Sequence, residues 1–362
     1  MARSLLAQKI INYGKHLPDA IAANIKYGWP GRRIKVIGVT GTDGKTTTVN
    51  MIYQLLKDAG KKVSMLSTIN AIIAGKLYDT GFHVTSPAAA DIQRFLRMAV
   101  DTGVEYMVLE ITSHALDQFR SWGIPIQIAV VTNITHEHLD YHKNMDNYIK
   151  VKAKLIQQAE TVILNKDDSS FEQLRKFSAN SPKTVSLDQQ ADLNLKKLPM
   201  KLQIPGDYNK SNALQAALVG LTLGLDLKAI KTSLELFDNL KGRMEYISDP
   251  AGRLRKRQIK VVVDFAHTPY ALDQALQALR VKTRGRIIAV FGAASQRDVA
   301  KRPLMGGVAA RKADLTILTA EDPRFEDPQN IIDQIARGYH GIKNKDLYQE
   351  PDRFKAITLA LN

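Results

Sequence analysis

Two hydrophobic periods alternate along this chain. Short runs rich in Val and Ile, "KVIGVT" (35–40), "KKVSMLST" (61–68), "YMVLEIT" (106–112), "IQIAVVTNI" (126–134) and "TVILNKDD" (161–168), predict buried strands. Between them, apolar residues recur every three or four positions in "TTTVNMIYQLLKDAG" (46–60), "AADIQRFLRMAVDTG" (89–103) and "MDNYIKVKAKLIQQA" (145–159), which predict helices. Such alternation predicts a mostly parallel sheet covered on both faces. Residues 4–13 and 18–27 predict two short amphipathic helices ahead of it, and residues 166–204 look polar and less regular. After a long helix in "SNALQAALVGLTLG" (211–224), a second series starts: strand "IKVVVDFA" (259–266), helix "PYALDQALQALR" (269–280), strand "RIIAVFG" (286–292), helix "LMGGVAARKA" (304–313) and strand "LTILTAE" (315–321).

The fold class expected is therefore α/β: a central P-loop-type, mostly parallel sheet domain followed by a smaller, incomplete Rossmann-like domain. The divisions expected are a short helical segment at 1–33, a central domain at 34–241 and a C-terminal domain at 242–362.

Composition narrows the chemistry. The 362 residues include no cysteine, which excludes disulfides, thiolate zinc sites and a catalytic thiol, and fits a reducing compartment. No run approaches the roughly 18 apolar residues of a membrane span, and residues 1–30 lack the continuous apolar core of a signal peptide, so the cytoplasm is expected. The net charge of +15 suits an anionic ligand. Without a basic tract interleaved with aromatics, a small anion is expected rather than a nucleic acid.

The strand 35–40 runs into Gly41, Thr42, Asp43, Gly44, Lys45, Thr46 and Thr47, and then into a helix. Glycines let backbone amides turn around an oxyanion, and the helix N-terminus adds partial positive charge. Lys45 is expected to reach the β- and γ-phosphates of ATP, and Thr46 to offer its hydroxyl to Mg²⁺. The strict P-loop pattern is not met, because Val39 stands where its first Gly belongs. Two further clusters, "LEITSHALDQFR" (109–120) and "TNITHEHLDYH" (132–142), fall at expected strand ends, where open α/β sheets bind ligands. Glu110 and His138 are candidate Mg²⁺ ligands, the carboxylate being the more usual of the two.

Together these stretches resemble the Mur ligases, ATP-dependent enzymes that build the peptidoglycan stem peptide, and in particular the MurE type, which adds the third amino acid to UDP-N-acetylmuramoyl-L-Ala-D-Glu. The resemblance extends through "TSP" (85–87), "YIKVKAKL" (148–155), "PGDYNKSNALQAAL" (205–218), "GRME" (242–245), "VDFAHTPYAL" (263–272), "QRDVAKRPLMG" (296–306) and "EDPRFEDP" (321–328). It implies that Gly41 to Thr47 bind ATP phosphates and that Thr46, Glu110 and His138 surround two Mg²⁺ ions. Lys152 matches a lysine carbamylated by CO₂, which would serve the second ion. Lys45, Lys152, His138 and Glu110 form the implied catalytic set. Thr85, Ser86, Thr112, Gln118 and Arg120 match positions that hold the muramoyl-dipeptide. Asn209, Asn212, Arg243, Asp264 and His267 match the nucleotide side. Arg297 and Arg324 match residues that recognise the incoming amino acid, and Arg324 leans toward diaminopimelate over lysine.

The resemblance also implies an acyl phosphate on the D-Glu γ-carboxylate, attacked by the amine of the added residue. Two departures accompany it. The family has a UDP-gripping N-terminal domain where this chain has 33 residues, so the substrate's peptide end or an unknown partner is expected to supply those contacts. The family also continues past the predicted helix in which Leu361 and Asn362 fall, so the third domain is expected to be incomplete. Three rival readings remain at this point: a related ligase on a lipid-linked or other carboxylate, a non-catalytic nucleotide-binding homologue, and a P-loop kinase.

Overall fold

The computed structural model describes residues 5–79, 87–238, 240–295, 298–342 and 346–362. Thr85, Ser86 and Arg297 lie outside the described residues. The chain divides into two compact units: residues 1–134, 141–203 and 207–238 form the first, and 135–140, 204–206 and 239–362 form the second.

The first unit is built on a nine-stranded sheet. Its strands are β1 (Lys35–Thr40), β2 (Val63–Leu66), β3 (Asn70–Ile73), β4 (Lys76–Asp79), β5 (Tyr106–Glu110), β6 (Ile126–Val131), β7 (Ala159–Asn165), β8 (Lys183–Ser186) and β9 (Leu193–Asn194). They lie in the order β4-β3-β2-β5-β1-β6-β7-β8-β9. All neighbours are parallel except β2–β3 and β3–β4. Helices Lys45–Asp58, Ala89–Asp101, Met145–Gln157 and Asp207–Thr222 fall where the apolar period placed them. The α/β class and the parallel core match the expectation. Ile92, Phe95 and Leu96 of one helix pack with Met107, Leu109 and Ala129 of the sheet.

Three features differ from the sequence reading. The β3–β4 hairpin was not expected, because its strands hold four residues each and alternate only twice. Its signal is the pair Ala74-Gly75, both with positive φ (48° and 81°), as a two-residue hairpin loop requires. Residues 166–204 add β8 and β9 to the sheet edge, where two to four residues are too few to set a period. The two N-terminal helices form one run: Leu5–Ile11, a π turn at Asn12–His16, then Leu17–Tyr27, stopped by Gly28 at φ 68°. Its buried face, with Ala20 and Ala23, packs on Ala89, Phe119 and Trp122.

The second unit has two small sheets. Strands β10 (Glu245–Tyr246) and β11 (Val262–Val263) are antiparallel; β12 (Ile288–Phe291), β13 (Leu315–Leu318) and β14 (Asp346–Gln349) are parallel in that order. Leu272, Leu276, Phe291, Met305, Ile332 and Ile335 form its core. The long strand expected at 259–266 shrinks to two residues. Val263 is 43 % exposed, and Asp264 turns its carboxylate to the Met244 amide at 2.7 Å, so this run is no central strand.

Candidate nucleotide and metal site

Register brings the candidate residues of the first unit together. Val39 pairs with Glu110 and Thr40 with Val131, so the C-terminal ends of β5, β1 and β6 lie side by side. The loop 41–44 leaves β1 there. Gly41 has φ 149° and Gly44 φ 81°. A Cβ on Gly41 would fall on Thr132 Oγ1, and one on Gly44 would come within 2.5 Å of Asn212 Oδ1. Both glycines are therefore required by conformation and by space.

The loop is stitched to the end of β6. Thr42 N–H donates to Asn133 O at 2.8 Å, Asp43 N–H to Asn133 Oδ1 at 2.9 Å, and Thr132 Oγ1 to Asp43 O at 2.6 Å. The helix Lys45–Asp58 begins with no side-chain cap, because Gly44 stands at the N-cap. Its first-turn amides and dipole therefore face the loop. The glycine turn thus packs closely on Thr132 and Asn212, and the uncapped first-turn amides beside it are of the kind that suits a nucleotide's phosphates.

Three charged side chains meet the cradle. Lys45 Nζ donates to Thr42 O at 2.7 Å. Glu110, buried at the end of β5, accepts from Thr46 Oγ1 at 2.9 Å and from the Thr68 amide at 3.1 Å. Lys152, on the helix Met145–Gln157, is 1 % exposed. Its Nζ donates to Gly41 O at 2.6 Å and lies 4.6 Å from the Tyr148 ring centre. Burial and the neighbouring Lys45 push its ammonium well below the usual lysine range, against the pull of Asp43 and Glu110.

No group of three His, Asp or Glu able to hold a metal is found among the described residues. A hard cation here would complete its shell with hydroxyl, phosphate and water oxygens around Glu110 and Thr46, which is the habit of Mg²⁺.

Other candidates also find places in the first unit. Asn209 and Asn212 are buried, with Asn212 Nδ2 donating to Asn209 Oδ1 at 3.4 Å. Thr112 caps the helix Ser113–Asp117, accepting from the Ala115 amide. Gln118 Oε1 accepts from Arg120 at 2.6 Å and 3.1 Å. Sequence reasoning missed Asp117. It accepts from Tyr141, Asn12 and Lys154 at 2.8, 2.8 and 3.1 Å. His142, one of the four histidines of the two strand-end clusters, meets Ser113 Oγ at 3.0 Å and is pushed down to about 3, chiefly by burial and the nearby His114.

The remaining candidates lie in the second unit. His138 has φ 56°, and its Nδ1 is 3.8 Å from Glu137 Oε1. Glu137 is held by Lys301 at 3.1 Å and lies 3.9 Å from His267 Nε2. Both Glu137 and Lys301 are buried. His267 Nδ1 donates to Phe265 O at 3.0 Å, and Arg243 covers the Phe265 ring at 4.5 Å. Arg324 Nε donates to Asp322 at 3.0 Å. Glu326 is taken instead by the buried Arg302, through two bonds of 2.6 and 2.8 Å. Lys301, Arg302 and Glu137 carried no signal beyond their motifs, because burial cannot be read from a charged residue alone.

Residues 39–220 match the Mur ligase middle domain, and residues 242–362 match the Mur ligase glutamate ligase domain. The chain belongs to the Mur ligase family. Among its relatives is the UDP-N-acetylmuramoyl-L-alanyl-D-glutamate–2,6-diaminopimelate ligase of Clostridium tetani, 37 % identical over 357 residues, covering 93 % of this chain and 72 % of the relative. The enzyme of the same name from Clostridium botulinum is 36 % identical, covering 88 % and 68 %. A solved ligase of that name superimposes with a TM-score of 0.60 at 29 % identity, over 90 % of this chain and 70 % of the other. MurF of Acinetobacter baumannii superimposes at 0.71 and 18 % identity, over 95 % and 74 %, a likeness of fold alone. Mur ligase membership, expected from the motifs, thus holds for both parts of the chain.

Proposed function

We propose that this Mur ligase joins an amino acid, meso-diaminopimelate, to the D-Glu γ-carboxylate of a UDP-N-acetylmuramoyl-L-Ala-D-Glu acceptor, with ATP and Mg²⁺, in the cytoplasm. The observation that carries this reading is the convergence of Lys45, Thr46, Glu110 and Lys152 on one glycine cradle. The names of the diaminopimelate-adding relatives support the substrate assignment. We take 34–241 as the nucleotide domain and 242–362 as the amino-acid domain, with Arg297 and Arg324 at the distal carboxylate, where a planar guanidinium suits. Thr85, Ser86, Thr112, Gln118 and Arg120 hold the dipeptide.

In this reading the acceptor carboxylate attacks the γ-phosphorus, ADP leaves, and the incoming amine displaces phosphate from the acyl phosphate. Bound Mg²⁺ supplies charge neutralisation at the phosphate oxygens. The amides after Gly44 bind the phosphates, and Lys45 exchanges its bond to Thr42 O for phosphate oxygens. Thr46 and Glu110, with His138, offer oxygen and nitrogen to the ions; Asn209, Asn212, Arg243, Asp264 and His267 hold the nucleotide. A buried lysine kept neutral is a nucleophile. As the free amine, Lys152 Nζ would attack CO₂, the N–C bond forming as one C=O pair moves to oxygen and the amine proton passing to water, and the resulting carbamate oxygens would serve the second ion.

The test is phosphate release with ATP, Mg²⁺ and UDP-muramoyl-dipeptide, adding diaminopimelate, L-Lys or other amines in turn. Peptide product only with diaminopimelate is expected. A phosphorylated product without amine dependence would make the chain a kinase, and bound ATP without turnover would make it a non-catalytic homologue.

A further inference from the structure

One face of the N-terminal helical run is apolar and open to water. Leu6, Ile10 and Ile25 are 64–70 % exposed, and Pro18 and Ala22 lie exposed between them; Tyr13, at the edge of this line, also meets Phe119 edge-on at 5.1 Å. Steps of three or four residues keep a line on one side of a helix. The longer step from Tyr13 to Pro18 crosses the π turn at Asn12–His16, which widens the turn by one residue.

The opposite face is already occupied. Ala20 and Ala23 are buried with Phe119 and Trp122. Asn12 donates to Asp117 at 2.8 Å, and Asn24 donates to Trp122 O at 3.0 Å. The run is thus anchored in the first unit by one face while its other face stays apolar and solvent-facing.

Charge decides what suits that face. Residues 1–33 contain six Lys and Arg and one acidic residue, Asp19. Lys9, Lys15, Lys26, Arg32 and Arg33 are all exposed. A second copy of a chain carrying +15 would meet this rim with like charge. An apolar line with a basic border, lying along a helix rather than spanning, is the pattern of an interfacial helix. No helix among the described residues is long and apolar enough to cross a membrane.

We propose that this face docks the protein on an anionic lipid surface, with Leu6, Ile10 and Ile25 entering the headgroup boundary and the basic rim meeting lipid phosphates. The proposal is independent of the ligase reading.

The test uses the full chain in sedimentation with vesicles of equal parts phosphatidylcholine and phosphatidylglycerol, and with phosphatidylcholine alone. Binding to the anionic vesicles is expected to be at least about tenfold tighter and to weaken as salt rises. The triple variant Leu6→Asp, Ile10→Asp, Ile25→Asp should lose binding while keeping its circular dichroism spectrum, because all three side chains are exposed. Replacing Lys9, Lys15 and Lys26 by Gln should weaken it by roughly a hundredfold. Three results would each overturn the proposal: no partition onto anionic vesicles, equal partition of the triple Asp variant, or a dimer in light scattering that the Asp variant dissolves while vesicle binding is absent.

Discussion

Among the described residues two lysines are buried, one in each unit, in opposite surroundings. Lys152 is 1 % exposed and Lys301 3 %. Lys301 meets both oxygens of the buried Glu137, at 3.1 and 3.2 Å. Lys152 spends its bond on a neutral carbonyl, Gly41 O, with Lys45 near enough to repel its charge. Burial against a carboxylate makes an ion pair that holds two segments of the second unit together. Burial against a carbonyl and a like charge lowers the amine's hold on its proton. The difference separates a lysine paired with a carboxylate from one whose charge its surroundings disfavour.

Methionine substitutions break this comparison most forcefully. Lys301→Met takes from the buried Glu137 the ammonium that meets both its oxygens, a loss of about 3–5 kcal/mol; adding Glu137→Gln should restore part of it. Lys152→Met removes an amine whose charge burial disfavours and takes the donor from one carbonyl, about 1–3 kcal/mol. It should nevertheless lower ligase turnover by about a thousandfold or more, as expected when a metal-serving group is lost. Urea unfolding and phosphate release on both variants check the pair. Equal stability losses would mean that Lys152 is charged in the folded protein. Removing dissolved CO₂ should depress activity, and ¹³C-bicarbonate should give a carbamate resonance absent from Lys152→Met.

Gly41 carries the acceptor for Lys152, so it extends the comparison. Gly41→Ala would put a methyl group on Thr132 Oγ1 at φ 149°. Gly75, at φ 81°, has nothing within 4 Å of its added Cβ. Gly75→Ala should cost only the backbone strain, about 1 kcal/mol, and leave nucleotide affinity unchanged. Gly41→Ala should weaken ATP binding by about tenfold or more in calorimetry. If both variants bind ATP alike, the cradle is not the phosphate site.

The sequence revealed the cradle better than its surroundings. A strand, a Gly-rich turn and a helix are local, so Gly41 to Thr47 and the ends of β5 and β6 could be read from period and turn chemistry. Glu110 sits beside the loop because β1 and β5 are neighbours, and the parallel βα pattern implied such strand ends. The identity of Lys152's partner was not legible. It depends on a contact between residues 111 apart in the chain, and Lys150 and Lys154 share its local pattern. Asp117, Glu137 and Lys301 escaped for the same reason. Strands β3, β4, β8 and β9 are too short to set a period, and β11 shrank because Asp264 and exposed Val263 belong to a turn and an edge.

Titration tests the same contrast more gently. Lys152 has a folded pKa below its unfolded value of 10.5. Between the two, the unfolded chain holds a proton that the native chain lacks, so stability should rise with pH up to about 10.5, by at most about 1.4 kcal/mol per unit. Lys152→Met should remove that slope. His142 gives an acid counterpart. Its folded value of about 3 lies below the ordinary histidine value of 6.5, so its contribution is present above 6.5 and is lost as pH falls toward 3. His142→Gln should flatten that arm in pH-dependent urea midpoints.

The smallest effect concerns the ring beneath Lys152. Tyr148 lies 4.6 Å from Nζ, a distance at which a desolvated ammonium would gain roughly 2 kcal/mol from the ring face. A neutral amine gains little of this. Tyr148→Phe keeps the ring and removes the hydroxyl that meets Thr42 Oγ1 at 3.2 Å, so it should cost about 1 kcal/mol of stability. Tyr148→Leu removes ring and hydroxyl together. With Lys152 neutral, the further loss should match ordinary packing differences and be the same in Lys152→Met. A double-mutant cycle that instead gives coupling near 2 kcal/mol between Tyr148 and Lys152 would show a charged lysine and undo the contrast with Lys301.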